Sequence, residues 1–229
     1  MKILIVYHSG VGNTKYVAEL MKKYLERSIE VEVYSVENLT RQIEYKKYDG
    51  VIIGCPTIHT HPTKRMLDFL ENVGRQKKFI PTFVYTTCGL YSANTVRILC
   101  KKCKEKNFIP IMSSSYRCKA VDGILLVPKV KFFSTYERNI ENRIKNECNK
   151  FVNNLAKKDQ KIRIPRFKLY SIINFPNKLM GQLITFPIYI HKNKCIRCGK
   201  CTTGCPSGAM KIDKEGYPVF DKTKCEKCS

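Results

Sequence analysis

Six of the twelve cysteines in this chain of 229 residues fall after position 194. The first four read Cys195-Ile-Arg-Cys198-Gly-Lys-Cys201-Thr-Thr-Gly-Cys205-Pro206, which is C-x2-C-x2-C-x3-C-P. This spacing is that of a bacterial-type iron–sulfur run, in which three cysteines hold one [4Fe–4S] cluster and the fourth reaches to another. Thiolates are the soft ligands such clusters need, and two-residue spacing lets a tight turn aim successive sulfurs at one centre. A zinc site is the alternative, because Cys195-x2-Cys198 and Cys225-x2-Cys228 also make a paired C-x2-C pattern. Zinc leaves Cys201, Cys205 and the cysteine–proline step unexplained. Iron, and with it redox chemistry, is the expectation.

A second ligand run begins at Cys225-Glu-Lys-Cys228 and stops at Ser229. Crosswise pairing assigns Cys195, Cys198 and Cys201 to one cluster, and Cys205, Cys225 and Cys228 to the other. Each then has three of four ligands. A chain cut inside a repeat is the simplest explanation. A single cluster that borrows Cys225 or Cys228 is the other.

A second candidate site lies at the opposite terminus. His8-Ser9-Gly10-Val11-Gly12-Asn13-Thr14 follows an apolar run, Lys2 to Tyr7, and precedes Lys15 to Arg27, where Val17, Leu20, Met21, Tyr24 and Leu25 recur at helical spacing. Gly10 and Gly12 let backbone N–H groups converge, Ser9 and Thr14 add hydroxyls, and the helix N-terminus favours negative charge, so the loop suits a phosphate. It is neither a Walker loop nor a G-x-G-x-x-G fingerprint. An ordinary glycine-rich turn with a capping threonine is the plain alternative.

Ser9 to Thr14 resembles the flavodoxin phosphate loop, [ST]-x-T-G-N-T, with Val11 in place of the usual hydroxyl. Two more segments fall where that resemblance requires: Gly54-Cys-Pro56-Thr57-Ile58-His59 and Thr86-Thr87-Cys88-Gly89-Leu90-Tyr91. In flavodoxins these loops flank the isoalloxazine ring, at the strand ends where open α/β sheets bind ligands. The resemblance implies FMN, contacted by Ser9, Gly10, Val11, Gly12, Asn13 and Thr14, by Pro56, Thr57, Ile58 and His59, and by Thr87, Cys88, Gly89, Leu90 and Tyr91.

Elements must carry these loops. Strands are expected at Lys2–Tyr7, Val31–Val36, Val51–Gly54, Ile80–Thr86 and Ile109–Ser113. Helices are expected at Lys15–Arg27, Thr63–Val73, Ala93–Lys106 and Tyr136–Leu155. The alternation is that of an α/β fold with a parallel sheet; the resemblance implies a doubly wound, five-stranded flavodoxin-like sheet of order 2-1-3-4-5, followed by a small ferredoxin-like α+β module. Residues 1–156 are expected to form the flavin domain, 157–190 a basic and apolar linker, and 191–229 an incomplete 4Fe–4S module. The pairing of the two halves resembles the EFR1-type ferrodoxin family of anaerobic prokaryotes, flavodoxin–ferredoxin fusions in which one domain binds FMN and the other carries two [4Fe–4S] clusters. That resemblance implies electron transfer within the chain.

Composition sets limits. The apolar start runs straight into the glycine-rich loop and is too short for a signal peptide, so a reducing cytoplasm is expected, with free thiols rather than disulfides. No window has the roughly 18 uninterrupted apolar residues of a membrane span; Leu169 to Ile190 comes nearest and is broken by prolines, asparagines and Lys178. The formal charge is +23. Two thiolate-held clusters would remove about 4 charges and a flavin phosphate about 2, leaving roughly +17. The basic residues are scattered rather than interleaved with aromatics, so nucleic acid is not expected. Redox protein partners are expected, and an acidic partner, an anionic substrate or simple lysine-rich composition would each explain the excess charge. The six basic residues and one acid of Lys157–Lys168 read as a solvated connector, and the apolar part after it as packing between the domains.

Single residues add less. His59 and His61 are expected to stack on flavin or face solvent rather than bind metal. Cys100 and Cys103 read as buried thiols rather than a redox pair. The expected function is that of an electron-transfer fusion passing electrons between clusters and FMN. An FMN-dependent reductase of a small acceptor and a zinc-binding interaction module are the alternatives.

Overall fold

A computed structural model of the chain describes residues 1–39, 43–120, 130–171, 188–205 and 207–225. The first strand, β1 (Lys2–Tyr7), is buried along its whole length from Ile3 onward, because helices cover both faces of the sheet; such strands read as unbroken apolar runs. It is followed by α1 (Asn13–Leu25), β2 (Glu30–Ser35), β3 (Gly50–Ile58), β4 (His61–Pro62) and α2 (Lys64–Asn72). Then come β5 (Ile80–Cys88), α3 (Thr95–Glu105), β6 (Phe108–Arg117), the short α4 (Lys131–Ser134) and α5 (Ile140–Ala156).

Five strands pair in parallel in the order β2-β1-β3-β5-β6, while the two-residue β4 pairs antiparallel with the end of β3. The expected order 2-1-3-4-5 is this one with the small β4 passed over. Alternation along each strand divides the core. Ile3, Ile5, Ile52, Phe83 and Tyr85 pack with α1 and with the Ile140, Ile144, Cys148, Phe151 and Leu155 stripe of α5. Leu4, Val6, Val51, Ile53 and Val84 pack with α2 and α3 on the other face.

Two strands outrun their apolar signal. The reading ends β3 at Gly54 and β5 at Thr86, whereas Cys55 pairs with Thr86 and Pro56 with Thr87, and β5 extends to Cys88 opposite Arg117. Cross-strand pairing keeps these polar residues extended where propensity alone would release them. Pro56, Thr57, Ile58, Thr87 and Cys88 are therefore strand residues, held more firmly than loop residues. Helix α5 starts later than expected, because Asn139 takes a left-handed φ of 60° just before it.

The basic segment after α5 also departs from expectation. The side chains of Lys161, Arg163 and Arg166 are exposed, yet the backbone is docked: the Arg163 N–H donates to the Pro110 carbonyl at 2.7 Å, and Arg97 Nη1 donates to the Pro165 carbonyl at 2.6 Å. A solvated connector has no such anchors. Most of the apolar stretch expected to pack between domains (172–187) lies outside the described residues. Beyond it, α6 (Lys200–Thr203) and a hairpin of β7 (Met210–Ile212) and β8 (Pro218–Phe220) form the C-terminal module. No described helix is long and apolar enough to cross a membrane.

A Cβ at Gly54 would lie 2.0 Å from the Tyr85 ring, whereas one at Gly50 would meet the mobile end of Leu155 at 2.8 Å. Overpacking costs about 1–3 kcal/mol where neighbours cannot yield. Gly54→Ala should lower stability in urea unfolding by about 3 kcal/mol and Gly50→Ala by about 1 kcal/mol or less; equal losses would contradict this packing.

Candidate functional site

Strands β1, β3 and β5 end side by side, and the chain turns opposite ways after β1 and after β3, so a crevice opens beyond their C-terminal ends. Ser9 to Thr14 line one wall. Gly12 takes φ +91° at the start of α1, with nothing within 4 Å of where a Cβ would stand. The N-cap residue Gly12 offers no side-chain cap and no acid lies in the first turn of α1, so its positive dipole end and the N–H groups left open there suit an anion. Ser9 Oγ accepts from the Lys15 N–H at 3.2 Å and keeps its own hydrogen to donate. Asn13 Nδ2 is engaged with the Lys119 carbonyl at 2.8 Å, and so steadies the loop instead of pointing at a ligand.

Three contacts tie this loop to the neighbouring strands. The His8 N–H donates to the Gly54 carbonyl at 3.0 Å. The Thr14 and Thr87 hydroxyls, both buried, share a bond of 2.9 Å. The Tyr85 hydroxyl donates to the Thr14 carbonyl at 3.1 Å. Each was silent in the sequence, since partners 46 to 73 positions apart carry no local signal. The partner of the His8 side chain is likewise distant, 29 positions away. His8 is fully buried, with its ring Nδ1 against the Glu37 carboxylate just beyond β2.

The second wall is the β3–β4 hairpin. Ile58 pairs with His61 across a two-residue turn in which His59 (φ 45°) and Thr60 (φ 65°) are both left-handed. That is the geometry of a type I′ turn, which Asn-Gly adopts with less strain; strain of this kind collects at ligand clamps. His59 is exposed at the rim. On the third wall Leu90 (57%) and Tyr91 (38%) are exposed, as is Val11 (46%) on the first, so each of these walls presents an apolar side chain. The buried hydroxyls of Thr57 and Thr86, at the ends of β3 and β5, have no partner among the described residues, as befits polar groups that meet a ligand or water. These features fit FMN: a phosphate at the α1 turn and a ring between the two other walls.

Cys88, proposed beside the ring, is buried, and burial raises its thiol pKa. Burial likewise pushes the thiols of Cys100, Cys118 and Cys148 up to about 12, and that of Cys103 well above its ordinary value. These thiols stay protonated and belong to the core. Cys205 is the exception: burial raises it, but the Ser207 hydroxyl and the N–H groups of Met210, Ala209 and Ser207 outweigh burial and lower its pKa. A stabilised thiolate is what a cluster ligand requires. Cys195 also accepts from the Arg197 N–H at 3.4 Å, with Arg197 held at φ 56°. Among the described residues no three such side chains gather closely enough to hold a metal ion, and Cys228 lies outside them. Ligands of this kind converge when the metal binds, and the Cys205 surroundings fit one. A cleft of about 640 Å³ separates the hairpin, at Ile58, His59, His61, Lys64 and Arg65, from Cys225 and Ser207 of the C-terminal module.

Known proteins agree with this division. Residues 4–115 match the flavodoxin domain family, and residues 188–211 match the 4Fe–4S binding domain family. Over 41 residues the chain is 49% identical to pyruvate synthase subunit PorD of Pyrococcus horikoshii, covering 18% of this chain and 39% of that protein. The same subunit of Pyrococcus abyssi is 51% identical over 41 residues with the same coverage. The chain therefore spans about two fifths of the length of these relatives. Among solved structures, oxidised Flavodoxin 1 from Bacillus cereus superposes with a TM-score of 0.54 at 18% identity, over 67% of this chain and 98% of that one, which establishes the fold. A flavodoxin domain implies FMN and a 4Fe–4S domain implies iron–sulfur clusters; these are the cofactors, and electron transfer is the class of function they support.

Thr14→Val leaves the Thr87 hydroxyl buried without its partner, at a loss of about 1–2 kcal/mol. Fluorescence titration of the flavin-free chain should show FMN affinity falling about tenfold; unchanged affinity would remove Thr14 from the site. Cys198→Ala should lower the iron bound per chain while Cys103→Ala leaves it unchanged, as read by a colorimetric iron assay; equal iron in both would refute the ligand assignment.

Proposed function

We propose that this chain is an electron carrier of the ferrodoxin kind, in which a flavodoxin-like unit (1–156) and a ferredoxin-like unit (191–229), joined by residues 157–190, exchange electrons within one polypeptide. The observation that carries the reading is the presence of both domain types in one chain, the flavodoxin match at 4–115 and the 4Fe–4S match at 188–211. Bound flavin takes up electrons singly or in pairs, and a cluster passes one at a time.

The residues supply placement and electrostatics. The α1 turn and Gly12 hold the phosphate end. Thr14, Thr87 and Tyr85 fix the loop against the strand ends. Ser207 and the N–H groups around it steady the Cys205 thiolate. Ligands Cys195, Cys198 and Cys201 would serve one cluster, and Cys205, Cys225 and Cys228 the second. The net charge of +23 favours more negative, reduced cofactors and acidic protein partners.

One observation favours a second reading, a reductase of a small acceptor: the cleft of about 640 Å³ beside His59 and His61 has room for a small molecule. Anaerobic purification with iron, zinc and flavin counted per chain separates these possibilities from a zinc module. Iron together with FMN, and no preferred turnover among quinone and nitro acceptors, is the outcome expected of the carrier. Fast turnover of one such acceptor would favour the reductase. Zinc without FMN would overturn both.

A further inference from the structure

Helix α5 ends by the N-terminal end of the strands, remote from the flavin crevice: the Leu155 and Phe151 side chains lie against Gly50, where β3 begins. A connector leaving from Ala156 would therefore start at the wrong end of the domain. The chain instead climbs back. The Arg163 N–H donates to the Pro110 carbonyl and Arg163 Nη1 to the Ile111 carbonyl at 2.8 Å, both near the start of the edge strand β6. Ile164 packs into the core on the α3 face. Arg97 Nη1 then holds the Pro165 carbonyl. Finally the Lys168 N–H donates to Asn94 Oδ1 at 2.9 Å, while Asn94 Nδ2 donates to the Lys168 carbonyl at 3.3 Å and to the Ser171 hydroxyl.

Asn94 is the telling residue. It occupies the N-cap position of α3, where an asparagine side chain normally caps the helix, yet it makes no capping bond. Its amide, 7% exposed, is spent wholly on the segment that climbs past it. Asn94 stands three residues beyond Tyr91, on the loop that frames the flavin crevice. A buried amide stripped of these partners would carry the full desolvation penalty, so the contact is strongly favoured once formed.

We infer that residues 161–171 are a strap that carries the tether of the ferredoxin-like unit from the far end of the sheet to the flavin end, with Asn94 and Arg97 as its positioning residues. This rests on the carrier reading above. Between α5 and residue 188 lie 31 residues (157–187), of which 16 (172–187) remain beyond the docked strap. Their greatest reach is about 110 Å and about 56 Å respectively, at roughly 3.5 Å per residue. The volume open to the tethered unit therefore shrinks about sevenfold, and its centre moves toward the crevice.

The test uses the whole chain loaded with FMN and iron, unmodified and as Asn94→Ala and Lys168→Pro. The second variant deletes the N–H that Asn94 accepts and leaves every residue of the crevice in place. Amide hydrogen exchange of 161–171 reads the strap directly, and the concentration-independent rate of cluster-to-flavin exchange reads its consequence. Protection of Arg163 and Ser171 in the unmodified chain, its loss by about tenfold in both variants, and a rate reduced about fivefold with FMN and iron contents unchanged are the expected results. An unprotected segment in the unmodified chain overturns the strap. Lost protection with an unaltered rate overturns its positioning role. No exchange between centres in the unmodified chain, with the strap protected, overturns the carrier reading and the positioning role with it.

Discussion

Tyr85 is the contact on which the rest of the molecule depends. Its ring lies against Gly54 of the neighbouring strand, packs edge-on to Tyr116 at 6.0 Å, and is wholly buried in the core on the α1–α5 face. Its hydroxyl reaches the Thr14 carbonyl in the first turn of α1. One side chain thus bridges β3 and β5, fills the core, and fixes the height of the Ser9–Thr14 loop above the strand ends. Only a residue without a Cβ at position 54 allows the approach. Burial raises the Tyr85 phenol well above its ordinary pKa, so it stays a neutral donor across the physiological range.

Much of this was readable in the chain. Apolar runs alternating with helical segments announced a parallel sheet, the 3.6-residue stripe of α1 announced part of the layer that covers one face, and Ser9 to Thr14 announced an anion cradle. What failed did so for identifiable reasons. Polar ends of β3 and β5 looked like loops because their extended form comes from Cys55–Thr86 and Pro56–Thr87 pairing, which local propensity does not encode. The segment 157–168 looked solvated because its residues are mostly charged, while its anchors are backbone groups, Asn94 and the Arg97 and Arg163 guanidinium groups, whose distant partners no charge pattern reveals. His8 went unnoticed because its partner Glu37 lies across the β1–β2 pairing.

The two cofactor sites differ in how far the polypeptide prepares them. The flavin crevice is built: Gly12, the Thr14–Thr87 bond and the strained His59–Thr60 turn stand in place within the rigid end of a sheet. Among the described residues of the cysteine module, Cys198 and Cys201 are exposed and the elements around them are short, an arrangement in which metal binding can supply folding energy. Cys205 sits in a ready nest of donors. The strap joins these unequal halves by delivering the dependent unit to the end of the sheet where the prepared one lies.

The central claim is that two redox centres on one chain exchange electrons with each other. Rapid anaerobic mixing of the FMN- and iron-loaded protein with a one-electron reductant of the clusters, followed by flavin absorbance over a tenfold range of protein concentration, tests it most directly. A flavin phase whose rate constant does not change with protein concentration is predicted. A rate that rises in proportion to concentration, or no flavin phase at all, would contradict the account.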